Sequence, residues 1–188
     1  MTSEKIEKVE KLETKDLIIR RTVFDDLEQF YRWEQKPEVT KFFSIRDGQT
    51  KEEVCHKFFA DEDDPAAEQF TILLKNGDLI GRIVLADIIP GWKAELWRIY
   101  IGDTALRGKG YGRQAMEVMM QYCFEALQLE RLYLDHYTGN PAGFLYENLG
   151  FHREGVLRKN CRKNGVLYDV HLMSMLRDEY FAKSKTAK

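Results

Sequence analysis

A mixed α/β (α+β) fold is predicted by three features of this sequence. Apolar residues alternate over short stretches near both ends of the chain. Two Asn-Gly pairs, Asn76-Gly77 and Asn164-Gly165, punctuate those stretches as hairpin turns, because both residue types tolerate positive φ. One long central segment switches to helical periodicity. Helices interposed among strands, rather than alternating strictly with them, favour this class over a doubly wound parallel sheet.

Taken in order, Leu17-Ile18-Ile19-Arg20 reads as a first strand. Asp25-Asp26 stand where an N-cap and first-turn acid belong, ahead of Leu27, Phe30, Tyr31 and Trp33-Glu34 at helical spacing, and Pro37 is expected to help end that helix. A second helix is predicted from Lys51 to about Asp61, with Val54, Phe58 and Phe59 on one side. Phe70, Ile72 and Leu74 mark a strand, Leu79 to Ile88 returns from the Asn76-Gly77 turn, and Ala94 to Ile101 forms the next strand. From Gly110, Tyr111, Ala115, Val118, Met119, Tyr122 and Ala126 recur three and four apart, the pattern of a long amphipathic helix. Leu132, Leu134 and His136 restore a period of two. Asn140-Pro141 opens a short helix that Gly150 closes, and two strands flank Asn164-Gly165.

With 188 residues the chain suits one domain, expected over 16–180, between charged segments at 1–15 and 181–188 that read as flexible tails. Its 29 basic and 31 acidic side chains give a formal charge of −2, which argues against an electrostatic grip on nucleic acid or anionic lipid. Cys55, Cys123 and Cys161 are far apart and form no CxxC pair, so reduced thiols and a cytoplasmic location are expected, with neither a zinc site nor a disulfide framework. No apolar run approaches the roughly 20 residues a membrane helix needs. His56, His136, His152 and His171 show no metal-ligand spacing, and Asp135-His136 are adjacent strand residues expected to face opposite ways. No metal is expected.

The segment Leu106-Arg107-Gly108-Lys109-Gly110-Tyr111-Gly112 lies between a strand and the long helix. A helix N-terminus presents unpaired N–H groups and the positive end of its dipole, and glycines there let an anion reach the backbone. Arg107 and Lys109 add positive charge. A Walker A loop fails on spacing, since five residues separate Gly102 from Gly108 and Gly110 follows Lys109. A GxGxxG dinucleotide fingerprint fails too, because Gly108, Gly110 and Gly112 are evenly spaced. A glycine-rich turn without a ligand is the plain alternative.

Arg107-Gly108-Lys109-Gly110-Tyr111-Gly112 satisfies the pattern R/Q-x-x-G-x-G/A and resembles the GNAT acetyltransferase superfamily, in which such a loop cradles the diphosphate of coenzyme A. Glu95 to Ile101 is similar to the family's preceding strand, which splays from its neighbour and holds the pantetheine arm through its backbone. Asn140 to Phe151 resembles the later N-x-x-A/S-x-x-L-Y-x-x-x-G-F motif with one residue fewer between Asn140 and Leu145-Tyr146, and Gly155 to Val170 the C-terminal hairpin of the ribosomal-protein and spermidine acetyltransferase-like branch. Two such motifs in order are more specific than either alone. The resemblance runs from Leu17 to Leu176 and implies a mixed, mostly antiparallel sheet of about seven strands with about four helices. It departs at Gly143, where the family has Ala or Ser. A helical glycine costs about 1 kcal/mol against Ala, and here it implies looser packing beside the cofactor.

What the resemblance implies is an N-acetyltransferase that moves an acetyl group from acetyl-CoA to a primary amine, a small molecule or a protein N-terminus, by direct attack in a ternary complex. Ile99, Tyr100, Ile101, Arg107, Gly108, Lys109, Gly110, Tyr111, Gly112, Asn140 and Gly143 would then contact the cofactor. Tyr146 would hydrogen-bond the leaving sulfur, its phenol staying protonated near neutrality. Glu95 is the candidate base: a carboxylate beside Trp97, Ile99 and Ile101, read as sharing its strand face, has a raised pKa; an ordinary solvent-facing glutamate remains the alternative. Trp33, Glu34, Phe42, Phe43 and Trp97 would wall the acceptor site, with Glu34 attracting a cation, and the run Asp61-Glu62-Asp63-Asp64 would draw in a basic acceptor or simply be solvated. A silent acyl-CoA-binding regulatory module is the rival from another class. The oligomeric state stays open, a homodimer included.

Overall fold

In the computed structural model, which describes residues 9–186, strands β1 (Lys11–Glu13), β2 (Leu17–Arg21), β3 (Glu68–Leu74), β4 (Leu79–Ile89), β5 (Lys93–Ile101), β6 (Arg131–Tyr137), β7 (His152–Lys163) and β8 (Val166–Leu176) build one sheet. Its order is β1-β2-β3-β4-β5-β6-β8-β7, and every neighbouring pair is antiparallel except β5 and β6. Helices α1 (Leu27–Glu34), α2 (Pro37–Thr40), α3 (Lys51–Asp63), α4 (Tyr111–Gln121), α5 (Ala142–Leu149) and α6 (Arg177–Thr186) flank it. The mixed, mostly antiparallel class is as expected, with eight strands and six helices in place of about seven and four. Strand β1 lies inside the segment read as a flexible tail and pairs with β2; three residues are too few for alternation to register. Helix α6 likewise runs past the expected domain end at 180. The rest of the expected tails, 1–8 and 187–188, lies outside the described residues.

Local chemistry explains most boundaries. Thr50 and Glu53 form a reciprocal capping box that starts α3. Pro37 opens α2 at its first turn instead of merely ending α1, since a proline lacks only an N–H that this position leaves unpaired. A π-turn over Tyr122–Ala126 extends α4 and advances its phase, so Cys123 and Phe124 turn inward while Ala126, expected on the apolar face, is exposed. Phe59, expected beside Phe58 in the core, is also exposed and stacks on Phe24.

Two apolar layers clamp the sheet. On one face Leu17, Phe70, Ile83 and Leu96 pack against Ala115, Met116 and Met119 of α4. On the other, Phe30 and Trp33 of α1 and Phe58 of α3 close over Tyr100. Each fully buried Leu or Phe contributes about 2 kcal/mol.

Two irregularities of β5 position everything that follows. First, Val84 pairs with Arg98 but Leu85 pairs with Leu96, so Trp97 is an extra, unpaired residue. Such a bulge shifts the alternation. Glu95 therefore shares a face with Arg98 and Tyr100, while Ile99 and Ile101 join Leu96 against the α4 layer. That corrects the simple alternation expected from sequence. Second, β5 and β6 pair only through Lys93–Arg131, Ala94–Leu132 and Glu95–Tyr133. Beyond Glu95 the strands part.

Under the α1 layer, Glu34 is locked in a buried cluster. Its Oε1 accepts from Arg82 and Arg98, both at 3.2 Å, and from the Tyr100 hydroxyl at 2.9 Å, while Oε2 accepts from Gln49 at 2.6 Å. Burial favours the neutral acid, but Arg98 and Arg82 outweigh it and hold the carboxyl below its usual range. Removing this one negative charge strands two buried guanidinium groups. Glu34→Gln is expected to cost about 3 kcal/mol of unfolding free energy in a urea titration.

Candidate active site

Where β5 and β6 part, a cavity of about 380 Å³ passes through the sheet. Because it is lined from both faces, neighbouring residues of one strand can both reach it. On the α4 face it is lined by Ile99, Ile101, Met116, His136, Leu145 and Tyr146. On the other face Glu95, Asp135, Tyr137, Phe42, Phe43 and Cys161 line it. The loop carrying Phe42 and Phe43 is tied to the β7–β8 hairpin. Lys163 Nζ donates to the Thr40 carbonyl at 2.8 Å and pairs with Asp47 at 3.2 Å, and the Asn164 amide donates to Asp47 at 2.9 Å. The hairpin turn predicted from Asn164-Gly165 thus braces a cavity wall.

Titration in the cavity is set mainly by burial. Glu95 is pushed up to about 7 by burial first, then by Asp135 and Asp87, against a weaker pull from Lys93. Asp135 is raised by burial as well. Tyr146 is pushed up to about 12 by burial and the Asp135 charge, and among the described residues its hydroxyl has no hydrogen-bond partner. His136 is lowered by burial; its Nδ1 lies 3.1 Å from the Tyr137 carbonyl, which fixes that nitrogen as the donor, and its buried Nε2 has no partner among the described residues.

Comparison with known proteins places this arrangement. Residues 16–152 match the family model described as an acetyltransferase (GNAT) domain. The chain belongs to the GNAT acetyltransferase family. The uncharacterized N-acetyltransferase YnaD of Bacillus subtilis is 27% identical over 169 residues, which cover 89% of this chain and 97% of the relative. A spermidine N(1)-acetyltransferase of Vibrio cholerae is 32% identical over 123 residues, covering 65% and 70%. The crystal structure of a Vibrio cholerae spermidine N-acetyltransferase in complex with CoA and spermine superposes with a TM-score of 0.80 at 26% identity, covering 89% of this chain and 99% of that one. The protein is accordingly an acetyl-CoA-dependent N-acetyltransferase that moves an acetyl group to an amine.

The acetyltransferase's glycine-rich turn fits a diphosphate. Gly108 (φ +75°) and Gly110 (φ +84°) open α4 in left-handed conformations, and a Cβ built on either would meet nothing within 4 Å. Open space therefore lies over a helix start whose first-turn amides have no partner in the helix. Gly108, Tyr111, Gly112 and Asn140 line the cavity; Lys109, Gly110 and Gly143 do not. Arg107 lines it too, but its guanidinium donates to the Ile101 carbonyl at 3.3 Å and to the Glu38 carbonyl at 3.0 Å, tying the turn to β5 and α2. Asn140 Oδ1 accepts from the Ala142 amide at 3.0 Å and so starts α5. Tyr100 sends its side chain to Glu34, so only its backbone is left to face a ligand.

Of the expected acceptor contacts, Phe42, Phe43 and Trp97 reach the cavity, whereas Trp33 and Glu34 do not. Trp33 packs on Gly102, where a Cβ would lie 2.1 Å from the indole, and Glu34 is committed to its two arginines. Asp61 also sits elsewhere, buried and paired with Lys57. Conversely, Asp135 and His136, expected to diverge as adjacent strand residues, and the lone Cys161 carry no expected role in the site. All three line the cavity, since it pierces the sheet. No local signal marks them; only the parting of two distant segments does.

Gly143 has a different cause from looser cofactor packing. A Cβ there would lie 2.8 Å from His136 Cε1 and 3.0 Å from its Nε2. The glycine makes room for the imidazole, which stacks on His171 at 5.2 Å. Gly143→Ala is expected to lower stability by about 2 kcal/mol, and His136→Ala in the same chain to recover most of that loss, as a double-mutant cycle on thermal unfolding would show.

Proposed function

We propose that this acetyltransferase acts on small cationic amines of the polyamine type, with Glu95 as the base and Tyr146 as hydrogen-bond donor to the leaving sulfur. The observation that carries the reading is the placement of Glu95 at the last rung of the β5–β6 pairing, in the same cavity as Tyr146. Bound acetyl-CoA supplies the activated acetyl group. The chain's own residues do the rest. An alkylammonium cannot attack a carbonyl until it loses a proton, and a carboxylate near 7 accepts that proton close to neutral pH. A backbone N–H of Ile99–Ile101, on the free edge of β5, polarises the carbonyl oxygen.

Tyr146, at about 12, keeps its proton, and its unpartnered hydroxyl is available to a developing thiolate. An ordinary thiol titrates at about 8.5, so donating a hydrogen bond is favoured over surrendering the proton outright. Phe42, Phe43 and Trp97 give an apolar wall for the methylene segments of a polyamine. The Vibrio cholerae neighbour bound to CoA and spermine supports this substrate class over a protein N-terminus.

A panel of polyamines, simple amines and peptides, followed by CoA-thiol release, tests the substrate class; polyamines are expected to turn over fastest, and faster peptides would overturn it. Tyr146→Phe is expected to lower kcat about 100-fold with CoA affinity unchanged by calorimetry. Glu95 works only when ionised, so kcat/KM for the amine should fall as pH drops below about 7, and Glu95→Gln should abolish that limb.

A further inference from the structure

Among the described residues, every other carboxylate withdrawn from solvent has a partner: Asp16 with Gln114, Asp26 with Arg20, Glu28 with Lys51, Glu34 with Arg82, Asp61 with Lys57, Glu68 with Arg21, and Glu179 with the Leu176 amide. Glu95 and Asp135 are the exceptions. Among the described residues neither accepts a hydrogen bond nor pairs with a cation, and both line the same cavity. A half-buried carboxylate without a partner is costly. Two of them side by side mark a site whose counter-charge arrives with a ligand.

Their placement follows from the ladder. Glu95 lies opposite Tyr133, so the two share a face, and Asp135 sits two residues further along β6 on that face, roughly 6.6 Å on. The other charges nearby are committed. Asp87 accepts from the Tyr133 hydroxyl at 2.9 Å, and Lys93 lies over the Trp92 and Tyr133 rings at 5.3 and 5.5 Å. Arg98 is held by Glu34, and Arg107 by backbone carbonyls. Cys161 and Tyr146 also feel the Asp135 charge, and both are pushed toward their neutral forms.

We infer that Asp135 is a specificity-determining residue of the acceptor site, seating the ammonium of the incoming amine between its own carboxylate and Glu95. One negative charge then serves twice. It attracts a cationic acceptor, and it keeps its neighbour willing to take the ammonium proton, the N–H bond breaking as the O–H bond of Glu95 forms. The inference rests on the reading of Glu95 as the base.

The test compares wild type, Asp135→Asn and Asp135→Glu, with spermidine as the probe. Calorimetric binding of spermidine to each protein without CoA reads the first role. The pH profile of kcat/KM for spermidine at saturating acetyl-CoA reads the second. In Asp135→Asn, spermidine binding is expected to weaken about tenfold. Loss of the neighbouring charge lets Glu95 ionise more easily, so the acid limb should move about one unit to lower pH. Asp135→Glu should keep both properties. Because no partner is lost, Asp135→Asn should melt no lower than wild type and be stabilised by CoA to the same extent. An Asn variant that binds spermidine normally, keeps the limb in place or fails to fold overturns the inference. A wild-type enzyme inactive on every amine instead overturns the reading of Glu95 and Tyr146.

Discussion

Two parallel strands that hydrogen-bond for only three rungs and then diverge are an unusual sight inside a sheet whose other pairs continue for most of their length. Backbone groups at such a parting lose their ladder partners, and burying them bare would be prohibitive. The protein resolves this by leaving the gap as a cavity lined from both faces, where free edges of β5 and β6 can meet a ligand. The remaining functional features depend on that parting. It brings Glu95 and Asp135 from one face and Tyr146 and His136 from the other into one space, and it opens toward the glycine-rich start of α4.

Around the gap, rigidity comes from groups that touch no ligand. Glu34 binds two arginines from β4 and β5, pinning α1 to the strand that borders the parting. Arg107 ties the glycine-rich turn back to the end of that strand, and Lys163 with Asn164 braces the loop that carries Phe42 and Phe43. Charged side chains here act as struts. The half-buried acids within the cavity, Glu95 and Asp135, have no such strut among the described residues.

Sequence alone made legible what short-range chemistry specifies. The two Asn-Gly turns, the glycine-rich entry to α4 and the short helix opened by Asn140-Pro141 and closed by Gly150 each depend on a few consecutive residues, and each is found where it was expected. What escaped depends on register between segments far apart. The Trp97 bulge exists only relative to β4, the reach of Asp135 only relative to β5, and the reason for Gly143 only relative to His136. Glu34 escapes on the same account: a helical glutamate beside a tryptophan reads as a pocket acid that attracts a cation until the arginines of two later strands are folded beneath it.

The unpaired Trp97 carries a consequence for insertions and deletions. Side-chain direction along a strand is a parity, and one surplus residue reverses it for all that follow. Excising that residue would restore a regular ladder while rotating either Glu95 or the Arg98–Tyr100 segment to the opposite side. A backbone more regular by every geometric measure would then lose either its acid from the cavity or its arginine from Glu34. At this point of the chain, the length of the strand matters more than the identity of the indole it carries.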